Sequence, residues 1–453
     1  MNIALLLSMM ADAVPDRIAV GSRTGGISYA RLRGQAETVA ANLAGGGATS
    51  LVLVGANSDA GPALLFGSAW AELPFCSVNY RLADDRLRQV VARTAPSVVV
   101  ADDASAPRLA SIAGTRLASA SGLLAESRSS RDAEPPADGD IPAVLLFTSG
   151  TTGEPKIVVL RHRHLFSYVV STTEFCSAGP DQAALISVPS YHIAGIAAIL
   201  TNVYAGRRVV YLPQFSPQEW VARVREEGIS HAMIVPTMLG RILDVLADRE
   251  LELPSLRHLS YGGGRAPVPV VERAMAMLPH VDFVNAYGLT ETSSTIALLG
   301  PDDHRVASAS ADPAVRARLG SVGRPVYGVE VQVRDADGAL LPAGQAGEIY
   351  VRGDQIAGEY ADRSAIGADG WFGTRDRGKL DADGYLFLDG RADDVIVRGG
   401  ENLSPAEIEE VLLSHPAVAD AGVAGIPDEE WGEVPAAAVV LHPGHRPQPG
   451  ELR

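Results

Sequence analysis

Apolar residues come along this chain in blocks of four or five, most of them closed by glycine, proline or a charged residue. Residues 50–54 (Ser-Leu-Val-Leu-Val) and 97–101 (Ser-Val-Val-Val-Ala) show the pattern most cleanly. Short runs without polar alternation predict strands buried on both faces. Residues 61–73 and 86–93, lying between such blocks, read as helices. Further strands are predicted at 144–147, 185–188, 208–212, 231–235, 258–261 and 282–286, with helices between them. Strand–helix alternation implies βαβ units and mostly parallel sheet, so two successive α/β units account for the chain to about residue 320. Residues 3–14 read as an opening amphipathic helix that ends before Pro15.

From about residue 320 to 389 the texture changes. Strands at 329–333 and 348–351 sit among turn clusters such as Asp335-Ala336-Asp337-Gly338, which predicts antiparallel β structure. Beyond Arg391 come a short strand at 395–397, a Gly-Gly turn and a helix over 406–413. Ser404 suits the N-cap of that helix, Pro405 its first position and Glu407 its third. A last strand is predicted at 436–441. Residues 104–140 are rich in Ala, Ser, Asp, Glu and Pro and read as a surface connection.

Composition narrows the function. With 453 residues, 47% of them hydrophobic, the chain can bury several cores. A formal charge of −16 argues against nucleic acid as partner, so an anionic ligand needs a local basic patch. Two cysteines, Cys76 and Cys176, give neither a disulfide framework nor metal spacing, which fits a reducing cytoplasm. No apolar run approaches the ~20 residues of a membrane span.

Chemistry concentrates first at Leu145-Leu-Phe-Thr-Ser-Gly-Thr-Thr-Gly-Glu-Pro-Lys156. An apolar strand stops at Thr148, Ser149, Gly150, Thr151, Thr152 and Gly153, and Lys156 follows. Glycines let successive N–H groups converge on an anion, hydroxyls add donors, and the lysine adds a mobile charge. The stretch reads as a polyphosphate grip. It is not the Walker type, because Pro155 precedes the lysine and 155–159 reads as a return strand. A second cluster, Tyr287-Gly288-Leu289-Thr290-Glu291, follows the strand predicted at 282–286. An aromatic, a glycine, a hydroxyl and a carboxylate at a sheet's carboxyl edge suit a nucleotide and a divalent metal. Two further candidates are the turn 369–376, ending in Asp376, and the polar segment 390–402, Gly-Arg-Ala-Asp-Asp-Val-Ile-Val-Arg-Gly-Gly-Glu-Asn. His162 and His164, beside Arg161 and Arg163, read as a solvated basic face rather than a metal pair. No Gly-x-Ser-x-Gly elbow marks a hydrolase.

These motifs, in this order from about residue 29 to 440, resemble the adenylate-forming superfamily, specifically its acyl- and aryl-CoA ligases. The resemblance implies a large N-terminal domain, residues 1–391, made of two α/β lobes and a β-barrel-like lobe. A small mobile α+β domain follows from residue 392 to 453. It implies ATP, Mg2+ and coenzyme A as cofactors, with a carboxylic acid as substrate. By position, Thr148–Gly153 and Lys156 hold phosphates, Thr290 meets the α-phosphate and Glu291 the metal. Asn285, Ala286, Tyr287 and Gly288 lie beside adenine, and Gly262, Gly263 and Gly264 pass close to adenine and the acyl group. His192, in Pro189–Gly195, gates the carboxylate pocket. That segment lacks the Asp with which amino-acid-activating relatives hold an ammonium group. Asp376 accepts the ribose hydroxyls, Arg391 lies near the ribose, Asp393 is the hinge, and Gly399-Gly400 enters the site for thioester formation.

The family ends its small domain with a catalytic lysine in a Gly-Lys context. The lysines here are Lys156 and Lys379, and neither takes that place, so a truncated chain is expected that adenylates poorly, by about 100- to 1,000-fold, while still binding an adenylate. The expected function is carboxylate–CoA ligation through an acyl-adenylate. An acyl carrier protein replacing CoA, or a non-catalytic adenylate-binding relative, are the alternatives, and a homodimer is compatible with the sequence.

Overall fold

The computed structural model describes residues 1–125, 134–148, 155–249 and 251–391, and beyond them 396–398, 401–403, 405–413, 415–428, 431–441 and 444–448. The first sheet has eight strands and is parallel through Pro142–Thr148, Phe75–Val78, Ser50–Val54, Ser97–Ala101 and Thr115–Ala118. Period-two alternation decides which core each residue enters. Leu51, Leu53, Val98 and Val100 face the core shared with the second sheet, whereas Val52, Val54 and Val99 face the opposite side. Helices Ala4–Ala13, Tyr29–Leu43, Gly61–Trp70 and Ile193–Ala205 contribute to the shared core, and every residue of Gly61–Trp70 is buried. An apolar block with no polar face is what a helix between two sheets requires.

The second sheet has nine strands, with Ile18–Val20, Arg208–Tyr211, Ala183–Ile186, His231–Ile234, His258–Gly262 and Asp282–Leu289 side by side and parallel. Antiparallel strands close both edges. A third sheet, Glu330–Arg334, Gly347–Arg352, Phe372–Leu380 and Leu386–Arg391, is wholly antiparallel. A fourth pairs Glu401–Leu403, Ile396–Arg398, Gly432–Leu441 and Val418–Asp428. Against it lies helix Pro405–Leu413, whose Glu409 accepts the Val423 N–H at 2.9 Å. The chain is thus a large N-terminal α/β body with an antiparallel lobe and a small C-terminal α+β domain. Among the described residues no helix is long and apolar enough to cross a membrane.

Three expectations are corrected. Residues 104–140 are more than a surface connection, because Thr115–Ala118 extends the first sheet and Leu109 and Leu123 are buried. Tyr287, Gly288 and Leu289 do not follow a strand; they continue it, because Asp282–Leu289 pairs with Ser294–Leu299 around a bulge at Tyr287/Gly288. The His162/His164 pair is not a solvated face. Both side chains are buried where the helix His162–Thr172 begins. His162 Nδ1 accepts the Ile3 N–H and His164 Nδ1 the Arg161 N–H, each at 3.3 Å. Each imidazole is thus recruited as an acceptor for a backbone donor.

Burial lowers both pKa values from the usual 6.5 to about 4, helped by the amino terminus near His162 and by Arg163 near His164. The unfolded chain therefore binds more protons between pH 4 and 6.5, so stability falls as pH drops through that window. Each group accounts for up to about 3 kcal/mol of the loss. Replacing both by asparagine, which keeps an acceptor oxygen, is expected to flatten the thermal midpoint's fall from pH 7 to pH 4. Parallel profiles for the two proteins would refute this account.

Candidate active site

Strand Pro142–Thr148 pairs antiparallel with Lys156–Arg161, and the last pair in register is Thr148 with Lys156. The hydroxyl- and glycine-rich stretch is therefore the connection of a hairpin, with its lysine at the base. Ser149, Gly150, Thr151, Thr152 and Gly153 lie outside the described residues. Arg93 fixes the returning end, its Nη1 donating to the Pro155 carbonyl at 2.7 Å and its guanidinium lying 5.4 Å from the Phe147 ring centroid.

Lys156 Nζ sits 5.6 Å from the ring centroid of Tyr360, and the Tyr360 hydroxyl donates to Glu291 Oε1 at 2.8 Å. One tyrosine thus joins two residues from distant motifs. Burial first, then the Glu291 charge, pushes the Tyr360 pKa up, so it remains a donor. Its strand, Glu359–Tyr360, is held to the hairpin by Tyr360 pairing with Val158 and by a bidentate Arg161–Glu359 ion pair at 2.6 and 2.7 Å. Thr290–Thr292 forms a short 3-10 turn. Within it the Glu291 carbonyl accepts the Ala357 and Gly358 N–H groups, each at 2.9 Å. Glu291 Oε2 has no hydrogen-bond partner among the described residues, which leaves it available to a cation.

The ribose candidates meet on the antiparallel lobe. Asp376 and Arg391 are opposite each other in register, with Arg391 Nε 3.4 Å from Asp376 Oδ1. The buried Tyr287 hydroxyl donates to Asp376 Oδ2 at 2.5 Å. Asn285 is also buried and gives its side-chain amide to the Ser321 carbonyl at 3.0 Å. A cleft of about 660 Å³ gathers Gly263, Gly264, Asn285, Ala286, Tyr287, Gly288, Asp376 and Arg391. Its other wall comes from the small domain, with Glu409, Val423, Gly425 and Glu433.

The glycines divide by role. A Cβ on Gly262 would meet the Ala286 carbonyl at 2.2 Å, across the strand pair. One on Gly288 would meet the Ser294 carbonyl at 1.8 Å. Gly263 has a φ of +76°, in the left-handed region, whereas a Cβ on Gly264 would find nothing nearer than Pro236 Cδ at 4.0 Å. Gly262→Ala is accordingly expected to cost about 1–3 kcal/mol by forcing the strands apart. Gly264→Ala should stay within about 0.5 kcal/mol. Urea unfolding of the two variants checks the contrast, and equal losses would contradict it.

His192 precedes helix Ile193–Ala205, its ring 4.7 Å from that of Tyr191. It is exposed by area, yet the protein around it still lowers its pKa through desolvation. It is part of neither the Lys156–Tyr360–Glu291 group nor the Asp376 cleft. Asp393, Gly399 and Gly400 lie outside the described residues. Tyr360 was not legible as a site residue, because a single tyrosine in a two-residue strand leaves no periodic or spacing signal.

The AMP-binding enzyme family matches residues 8–361, and the AMP-binding enzyme C-terminal domain matches 407–453. The fatty acid–[acyl-carrier-protein] ligase ScoC of Streptomyces coeruleorubidus is 35% identical over 407 residues, 86% of this chain and 76% of that protein. A 2-succinylbenzoate–CoA ligase of Bacillus cereus is 35% identical over 300 residues, 65% of this chain and 59% of that protein. Among solved structures, o-succinylbenzoate CoA synthetase (MenE) from Bacillus subtilis with its acyl-adenylate superposes with a TM-score of 0.84 at 30% identity. That match covers 99% of this chain and 90% of the other. ATP-bound MatB from Rhodopseudomonas palustris gives 0.86 at 26% identity, over 100% and 91%. The chain belongs to the AMP-binding enzyme family, as an adenylate-forming ligase of the acyl-/aryl-CoA ligase type.

Proposed function

We propose that this chain joins a carboxylic acid to coenzyme A at the expense of ATP. A carboxylate oxygen attacks the α-phosphorus, and the bond to pyrophosphate breaks. The CoA sulfur then attacks the acyl carbon, and the bond to AMP breaks. The supporting observation is the cleft in which Tyr287, Asp376 and Arg391 face the small domain. Asp376 is assigned to the ribose hydroxyls, Thr290 to the α-phosphate and Lys156, with the 148–153 hairpin, to the outer phosphates. Glu291 would hold Mg2+, which when bound neutralises phosphate charge. No group of three His, Cys, Asp or Glu side chains among the described residues could hold a metal alone, which suits an ion held largely by nucleotide phosphates. His192 is assigned to the mouth of the acyl pocket. Residues 1–391 and 392–453 form the two bodies, turning about Asp393 between the steps so that Gly399-Gly400 enters the cleft.

Thermal-shift titration with acyl-adenosine sulfamates is the test, since a ligand at 100 times its Kd adds about 2.7 kcal/mol. Stabilisation that varies with the acyl group is expected, and none from any adenylate would overturn the reading. A carrier-protein thiol is the second reading, favoured by the ScoC match across 86% of the chain. Mass spectrometry of reactions offered CoA or a phosphopantetheinylated carrier separates the two. A reducing cytoplasm, with Cys76 and Cys176 both free, and a homodimer complete the proposal.

A further inference from the structure

A second cavity, of about 270 Å³, runs between helix Ile193–Ala205 and the second sheet. It meets the nucleotide cleft at Ala286, which lines both. Its walls are mainly apolar, formed by residues such as Ile186, Ala197, Val284 and Leu298, with hydroxyl side chains such as Ser187, Thr201 and Ser260 among them. Its other end is different. His231 and His258 open their strands there, stacked with ring centroids 4.5 Å apart, and Arg207 lies beside them.

Arg207 is poorly satisfied. Its Nη1 reaches Asn202 Oδ1 at 3.3 Å, its buried Nε has no hydrogen-bond partner, and it makes no ion pair among the described residues. Burial lowers its pKa. Asp282 is an acidic group on this end, 3.6 Å from His258 Nδ1, but its carboxylate is already taken by Arg305 at 2.7 Å. With Arg257 also acting on His258, cationic groups outnumber anionic ones locally, in a chain whose net charge is −16. A cavity with mainly apolar walls and charged groups converging at one end orients a ligand by its far group.

Resting on the ligase reading above, the geometry points to a distal anion subsite. Arg207, with His231 and His258 beside it, receives a second carboxylate, or a similar anionic group, on the far end of the acyl substrate. Ala286 and Asp282 are four residues apart on one strand, so the two ends of the cavity are separated by about 13 Å. The substrate class is therefore an acid with an apolar middle and a terminal anion at about that distance from the reacting carboxyl. A half-buried guanidinium with one long hydrogen bond and an unpartnered Nε is incompletely satisfied, and an incoming carboxylate adds charge-assisted hydrogen bonds to it.

The experiment compares three adenosine sulfamates: dodecanoyl, the mono-sulfamate of dodecanedioic acid, and the methyl ester of the latter. Wild-type protein is expected to bind the free diacid derivative at least tenfold more tightly than its methyl ester. Arg207→Gln should erase that preference while leaving the AMP affinity unchanged, and Arg207→Lys should retain part of it. Equal binding of diacid and ester by wild type overturns the subsite but leaves the ligase reading intact. So does a preference that survives in Arg207→Gln. If none of the three sulfamates binds, the ligase reading fails as well.

Discussion

Asp376→Ala is expected to weaken AMP binding by about 100- to 10,000-fold, as read by isothermal titration. A carboxylate offers both oxygens to a pair of vicinal hydroxyls, and each hydrogen bond to a charged group is worth about 1.5–3 kcal/mol. The surroundings show why this carboxylate is held in place for such work. Asp376 is 7% exposed, and its N–H donates to Thr374 Oγ1, which itself donates to the Ile349 carbonyl at 2.9 Å. Tyr287 holds Oδ2 and Arg391 approaches Oδ1. Rotation of the carboxylate away from the cleft would break its contacts with Tyr287 and Arg391. Asp376→Asn keeps the shape and one acceptor, so its loss should be smaller than that of alanine. Tyr287→Phe removes only the positioning bond and should cost about tenfold, because Asp376 keeps its charge but not its fixed rotamer. An alanine variant that binds AMP as wild type does would remove Asp376 from the site.

Much of this arrangement could be read from the chain, and the physical reason is periodicity. Strands such as Ser50–Val54 and Ser97–Ala101 are buried on both faces, so their apolar blocks end where the elements end. The hairpin of Pro142–Thr148 and Lys156–Arg161 was legible because Thr148 and Lys156 bracket turn-forming residues. The Tyr287–Glu291 segment was misplaced by three residues because a glycine usually closes a strand. Here Gly288 continues one, since only hydrogen fits against the Ser294 carbonyl. The long hairpin strand Val418–Asp428 left little signal: its small, polar and proline residues alternate on a largely exposed face. His162 and His164 were misread for another reason. A charged-looking sequence carries no mark of the helix and amino terminus that bury it. Tyr360 and Arg207 belong to the same class. Their roles come from partners about 70 and 50 residues away along the chain, Glu291 for Tyr360 and the His258 region for Arg207, and no local pattern encodes that.

Glu291→Gln is expected to lower acyl-adenylate formation by about 100- to 1,000-fold, the range for loss of one preorganised electrostatic group. Its Mg2+ requirement should rise in parallel. The geometry favours a charge-specific role over a structural one. The main chain of Glu291 is fixed independently by two N–H donors from Ala357 and Gly358, so glutamine leaves the backbone in place. Of the carboxylate oxygens, Oε1 is committed to Tyr360 and Oε2 has no hydrogen-bond partner among the described residues. Glutamine can still accept the tyrosine hydrogen bond through its carbonyl oxygen. It then presents an NH2 group where Oε2 stood, and that group repels a cation. Tyr360→Phe gives the complementary case. It keeps the charge but frees the side chain to rotate, and it removes the ring beside Lys156. About a tenfold loss is expected, the size of one charge-assisted hydrogen bond. Because Lys156, Tyr360 and Glu291 form one contiguous group, the double variant should lose less than the product of the single losses. Pyrophosphate exchange measured across a Mg2+ series decides the matter. A Glu291→Gln enzyme with wild-type magnesium dependence would show that the carboxylate serves only to anchor Tyr360, and the metal would have to be held elsewhere in the cleft.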